Sequence, residues 1–102
     1  GDGGGGGGDG VVTTADVPVG SGKILSGEQA VVTQPSKGEF KAFTAVCTHQ
    51  GCLVSTISDG TINCDCHGSK FSIEDGSVVN GPARAPLEEK KVTVEGDQIS
   101  VG

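Results

Sequence analysis

All four cysteines and both histidines of this 102-residue chain fall between Cys47 and His67, a window of 21 residues. They stand as two short groups, Cys47-Thr48-His49-Gln50-Gly51-Cys52 and Cys64-Asp65-Cys66-His67-Gly68-Ser69. The rest of the chain shows why such a cluster governs the fold. Hydrophobic residues make up 33%, with three Phe and no Trp, Tyr or Met. A core so poor in bulky side chains is thin, and a small domain of that kind needs a staple: a disulfide, a metal, or both. Cys and His are the soft and borderline ligands of zinc, copper and iron–sulfur sites, so one Cys and one His from each of two loops suggests a site closed by both. Two other readings are open on the residues alone. Four Cys allow two disulfides by any of three pairings. A two-Cys, two-His zinc site is the other, although structural zinc favours C-x₂₋₄-C and H-x₃₋₅-H spacing and here each half mixes the two residue types.

Length and charge narrow the class. The chain is long enough for one domain. Seven basic against 13 acidic residues give a net charge of −6, which argues against a nucleic-acid partner or a polybasic membrane-surface role, since both must meet phosphate. No run approaches 18 consecutive apolar residues, so no spanning helix is expected. There is no initiator Met and no basic-then-apolar opening, as if an export signal had been removed or the chain began downstream of one. Residues 1–10 contain eight Gly and two Asp and are expected to form a disordered linker, reaching about 17 Å as a coil, either a plain tail or a tether to a lost N-terminal anchor.

From Val11 the pattern is β-like. Gln29–Thr33 and Glu39–Val46 read as strands separated by Gln34–Gly38, with Pro35 and Gly38 as turn residues. In the second, Phe40, Ala42 and Thr44 fall on one face, Lys41 and Phe43 on the other. Leu53–Ile57 and Thr61–Cys64 flank Ser58-Asp59-Gly60, and Lys90–Glu95 and Gln98–Val101 flank Gly96-Asp97, both good hairpin turns. Val92 and Val94 alternate with Lys91, Thr93 and Glu95, as in a half-buried strand. No useful helical period is present. Short strands at this spacing predict an all-β fold, a small antiparallel β-sandwich or barrel.

The paired motifs C-T-H-x-G-C and C-x-C-H-G-S resemble the double loop of Rieske iron–sulfur proteins, a specific match because each half fixes several positions. The resemblance covers roughly residues 23–101 and implies a Rieske-like fold for residues 11–102, with a two-loop cluster-binding subdomain around residues 46–72. It implies one [2Fe–2S] cluster per chain, with Cys47, His49, Cys64 and His67 as iron ligands. It implies a disulfide between Cys52 and Cys66, and Ser69 as the serine whose hydroxyl donates to a cluster sulfide. The extra cysteine pair places the chain with the respiratory, photosynthetic and arsenite-oxidase branch rather than with the dioxygenase ferredoxins. It also implies an oxidising, extracytoplasmic compartment, periplasmic or cell-surface, of a bacterium.

That ligand set has electrostatic consequences. Two ferric ions, two sulfides and two thiolates sum to zero in the oxidised state and to −1 when reduced, so reduction is easier than at a four-thiolate centre, and Rieske potentials run from about −150 to +300 mV. Phe71 stands where high-potential members carry a Tyr hydroxyl, which predicts a potential below the top of that range; its other reading is a plain core aromatic. Gln50, often Leu in quinol-oxidising members, weakens the quinol reading, and Asp65 replaces a usual Pro and adds a negative charge. Gly51 and Gly68 are expected to allow close backbone approach to the cluster. Gly81-Pro82-Ala83 with Pro86 resembles the loop that covers the cluster, and reads equally as a turn into the last hairpin. The resemblance thus implies a one-electron carrier, exported and not itself an enzyme. The alternative is a Rieske subunit of a larger oxidoreductase such as a cytochrome bc complex or arsenite oxidase. Its partners would be redox proteins, with a membrane reached only through a lost N-terminal anchor, and the acidic net charge hints at a basic partner surface.

Overall fold

A computed structural model describes residues 11–47, 52–66 and 68–101. The linker expected at residues 1–10 lies outside them. The described strands are β1 (Val11–Thr13), β2 (Ser21–Leu25), β3 (Ala30–Ser36), β4 (Glu39–Thr44), β5 (Thr56–Ser58), β6 (Thr61–Asn63), β7 (Lys70–Ser72), β8 (Val78–Asn80), β9 (Glu89–Lys90), β10 (Val92–Glu95) and β11 (Gln98–Val101). They make three antiparallel sheets, ordered β1-β11-β10, β2-β3-β4-β9 and β5-β6-β7-β8. Among the described residues the only helical pieces are two three-residue 3₁₀ turns, and no helix is long and apolar enough to cross a membrane. The all-β expectation holds.

The middle sheet organises the packing. Ala30 to Gln34 of β3 are buried in succession, so both faces of this strand are covered, and its two buried polar members, Thr33 and Gln34, hydrogen-bond through their side chains. Val31 pairs with Phe43 of β4 and Val32 with Ala42. Val31 and Phe43 point into a core shared with Ile62 of β6, Phe71 of β7 and Leu87 of the segment before β9. Val32 points the other way, into a smaller core with Val12, Val17 and Ile99, against which Phe40 packs. The predicted division of β4 into a Phe40/Ala42 face and a Phe43 face is the one observed.

Several boundaries differ from expectation. The turn between β3 and β4 is only Lys37-Gly38, because β3 runs on through Pro35 to Ser36. Pro35 is tolerated because the register slips between Thr33 and Ser36, where the ladder is interrupted and the missing N–H costs nothing. The buried Gln34 side chain closes this hairpin, accepting from the Gly38 N–H at 2.8 Å and donating to the Val17 carbonyl. The expected strand Lys90–Glu95 breaks at Lys91, since β9 belongs to β4 and β10 to β11. Val92 packs on the smaller core, but Val94 is 43% exposed, because β10 is an edge strand. Leu53 lies outside β5 and makes an isolated bridge to Val46. The Asp59-Gly60 turn has positive φ at both residues (53° and 78°), the geometry an Asp-Gly hairpin turn demands.

Two contacts lock the β5–β8 sheet to the middle sheet. The buried Thr33 hydroxyl donates to the Ile73 carbonyl at 2.8 Å. Gly76 (φ +76°) lies against Phe43, whose ring would stand 3.0 Å from any added Cβ, while the Leu87 N–H donates to the Gly76 carbonyl at 2.9 Å.

Candidate metal centre

Two loops leave the β5–β8 side, and each is tied at its base. The first follows β4: the Ala45 N–H donates to the Gln29 carbonyl and the Val54 N–H to the Ala45 carbonyl, both at 2.8 Å. The Val46–Leu53 bridge and the Cys47 N–H to Cys52 carbonyl bond (2.6 Å) continue this ribbon to its end. The second loop joins β6 to β7 and is closed by the Cys64 N–H on the Ser69 carbonyl (2.9 Å) and the Gly68 N–H on the Cys64 carbonyl (3.1 Å). Gly68 has φ +82°, a left-handed backbone that selects glycine by itself.

A disulfide joins Cys52 to Cys66 and so links the loops. Cys47 and Cys64 are outside it, and the reading with two disulfides falls away. Both residues are 2% exposed and belong to the same core cluster as Phe43 and Phe71. The pairing therefore leaves one buried thiol at the base of each loop. His49 and His67, with Gln50 and Gly51, lie outside the described residues. Among the described residues no group of three or more His, Cys, Asp and Glu converges, so the described donors are the two thiols, whose thiolates suit soft metal sites.

Ser69 is buried, and its hydroxyl oxygen accepts the Ala83 N–H at 3.1 Å. That bond occupies a lone pair and leaves the hydroxyl proton to donate elsewhere. Ala83 is itself buried in the core that holds both thiols, so the segment from Gly81 docks against Ser69, with a cis peptide at Gly81–Pro82. The segment leads toward the last hairpin and also touches the second loop at Ser69. Phe71 is fully buried as a core aromatic, and Asp65 is exposed. Sequence reasoning missed Asn63, a buried residue next to Cys64 whose amide bonds to four side chains. Its only signal was a polar residue ending an alternating strand.

Residues 10–95 match the family model of the Rieske [2Fe-2S] domain. The chain belongs to the Rieske family. This Rieske chain is 38% identical over 89 residues to the cytochrome b6-f complex iron-sulfur subunit of Chlorobaculum thiosulfatiphilum, covering 85% of the chain and 49% of that relative. It thus spans about half the length of the curated relatives it matches. The cyanobacterial plasma membrane Rieske protein PetC3 from Synechocystis PCC 6803 superposes with a TM-score of 0.65 at 33% identity, covering 72% of this chain and 75% of that one. A ferredoxin of Sphingomonas yanoikuyae B1 shares the fold with a TM-score of 0.70 at 23% identity, covering 89% and 93%. The cofactor of the Rieske domain is a [2Fe–2S] cluster, and two buried thiols on cross-linked loops beside a buried serine hydroxyl fit that group.

Proposed function

We propose that this Rieske domain carries single electrons through a [2Fe–2S] cluster bound by Cys47 and Cys64 on one iron and by His49 and His67 on the other. The observation that carries the reading is the pair of buried thiols at the bases of two loops joined by the Cys52–Cys66 disulfide. When bound, the cluster supplies a one-electron couple at a centre of low net charge. The chain's own residues do the rest. The Cys47 and Cys64 thiolates contribute two negative charges from a site shielded from water. Ser69, its oxygen accepting the Ala83 N–H, would donate its proton to a cluster sulfur and so stabilise the reduced state.

The disulfide supports an extracytoplasmic location, where such a bond persists. The domain serves as an exported electron carrier. A second reading, a subunit of a larger oxidoreductase, is favoured by a specific observation: the chain matches about half of a cytochrome b6-f subunit. Redox proteins are the partners in either case.

The test is protein-film voltammetry across pH, with visible and electron-spin spectra of the same sample. A red-brown protein is expected, with a potential between about −150 and +300 mV. It should be flat at low pH and fall by about 59 mV per unit for each proton coupled to one electron, once the oxidised-state imidazoles deprotonate. A potential flat through the alkaline range would remove His49 and His67 from the ligand set. A colourless protein with stoichiometric zinc would end the electron-transfer reading.

A further inference from the structure

The β5–β8 sheet carries two sharply different rows of side chains. Register places Ile57 opposite Ile62, Ile62 opposite Phe71 and Phe71 opposite Val78, and this row faces the core. The other face carries Thr56 opposite Asn63, Asn63 opposite Lys70 and Lys70 opposite Asn80. This polar row ends at the second loop from both sides. Asn63 immediately precedes Cys64, Lys70 immediately follows Ser69, and the Asn80 side-chain amide donates to the Gly68 carbonyl at 3.3 Å.

Asn63 is only 7% exposed, and every hydrogen-bonding position of its amide is used. Its nitrogen donates to the Thr56 hydroxyl (3.1 Å) and the Ser58 hydroxyl (3.0 Å). Its oxygen accepts from the Lys70 ammonium (3.2 Å) and shares the single Thr61 hydroxyl proton (2.7 Å) with the Ser58 carbonyl (2.9 Å). An ammonium can only donate, so it is the amide oxygen that must face Lys70, and the four bonds prevent the amide from turning away. A lysine on an exposed strand face ordinarily extends into water. Here the ammonium of the exposed Lys70 is hydrogen-bonded instead to the Asn63 side chain, and Asn63 directly precedes Cys64 in the sequence.

We infer that Lys70, positioned by Asn63, is a fixed positive charge that raises the reduction potential of the centre. The inference rests on the electron-transfer reading above. An electron arriving at a centre going from neutral to −1 is favoured by a cation within about a Debye length of 10 Å, and the effect weakens as salt screens it. Asn63 is a positioning residue, acting only through Lys70.

The test uses the full cluster-loaded chain. Lys70→Gln should weaken reduction about threefold, a shift of about 28 mV downward at 59 mV per tenfold, and Lys70→Glu about tenfold. Lys70→Arg should stay near the wild type, both Lys70 shifts should shrink in 1 M salt, and Lys37→Gln, an exposed charge on the β3–β4 turn, should shift nothing. In an Asn63→Ser background, Lys70→Gln should shift the potential less than in the wild type, because the lysine is already released. If that background does not fold, the Lys70 series decides alone. Lys70→Gln and Lys70→Glu potentials no lower than that of Lys37→Gln, in proteins with unchanged cluster spectra, would overturn the inference and leave the electron-transfer reading intact. A wild-type chain with no cluster spectrum would sink both.

Discussion

The middle sheet and the β5–β8 sheet share one hydrophobic core but are held together in different ways. β3 and β4 run for seven and six residues, and β3 buries side chains on both faces. Each strand from β5 to β8 has three residues, too few to bury more than one or two side chains apiece. The middle sheet is stabilised by burial. The other depends on closures: an Asp-Gly turn, a buried amide bonded on four sides, the Thr33–Ile73 hydrogen bond and the Cys52–Cys66 link. The difference teaches that the redox end is the less self-sufficient region, and that its order is borrowed from cross-links and from the sheet beneath it.

The strongest way to break this contrast is to remove what both regions share. Phe43→Ala deletes a fully buried ring that touches both, and should lower stability by about 3–5 kcal/mol in denaturant titration, in one cooperative transition. Two separate transitions would show that the sheets are independent. Removing the cross-link should instead sharpen the contrast. The double substitution Cys52→Ala with Cys66→Ala opens a loop of 15 residues and should cost about 3 kcal/mol. Hydrogen exchange should speed up in β5–β8 more than in β3 and β4; equal acceleration would contradict the division drawn here.

Smaller effects probe single bonds. Ser69→Ala should lower the reduction potential by the equivalent of about 1 kcal/mol and leave the Ala83 N–H without its acceptor; a potential that held or rose would refute the role given to the hydroxyl. Phe71→Tyr should move the potential the other way. The smallest effect is at Asp75, whose carboxyl is held below its ordinary value of 3.8 by the Ser77 hydroxyl and then by the Ser77 backbone N–H. A depressed folded pKa adds stability above the unfolded value and loses it as pH falls through the folded one. Asp75→Asn should therefore flatten the acid limb of the stability curve slightly and change nothing at neutral pH beyond the lost hydrogen bond.

The same contrast explains what could be read from the sequence. β3 and β4 were legible because Val31, Val32, Phe40 and Phe43 declare two buried faces, and the Asp59-Gly60 and Gly96-Asp97 turns because their backbone needs are met by few residues. β1, β7 and β8 were not, since three residues with no tight turn such as Asp59-Gly60 beside them carry too little pattern. β2 was not because Ser21-Gly22-Lys23 leaves only Ile24 and Leu25 apolar. Val94 misled because alternation does not say whether a strand lies at an edge. At the site, the spacing of Cys and His suggested a shared centre, but the choice of Cys52 and Cys66 as the bonded pair came only through family resemblance. Asn63 and Lys70 were invisible because their relation is one of register, seven residues apart along the chain and directly opposite across two strands.

The closures at the loop bases have a kinetic meaning too. Cys47 is bonded through its backbone to Cys52, Cys64 to Ser69, and a covalent bridge spans the pair. When an electron hops, the surrounding nuclei must shift to suit the new charge, and a frame already fixed in place has little left to rearrange. Stiffness at the base of two small loops thus becomes speed of exchange.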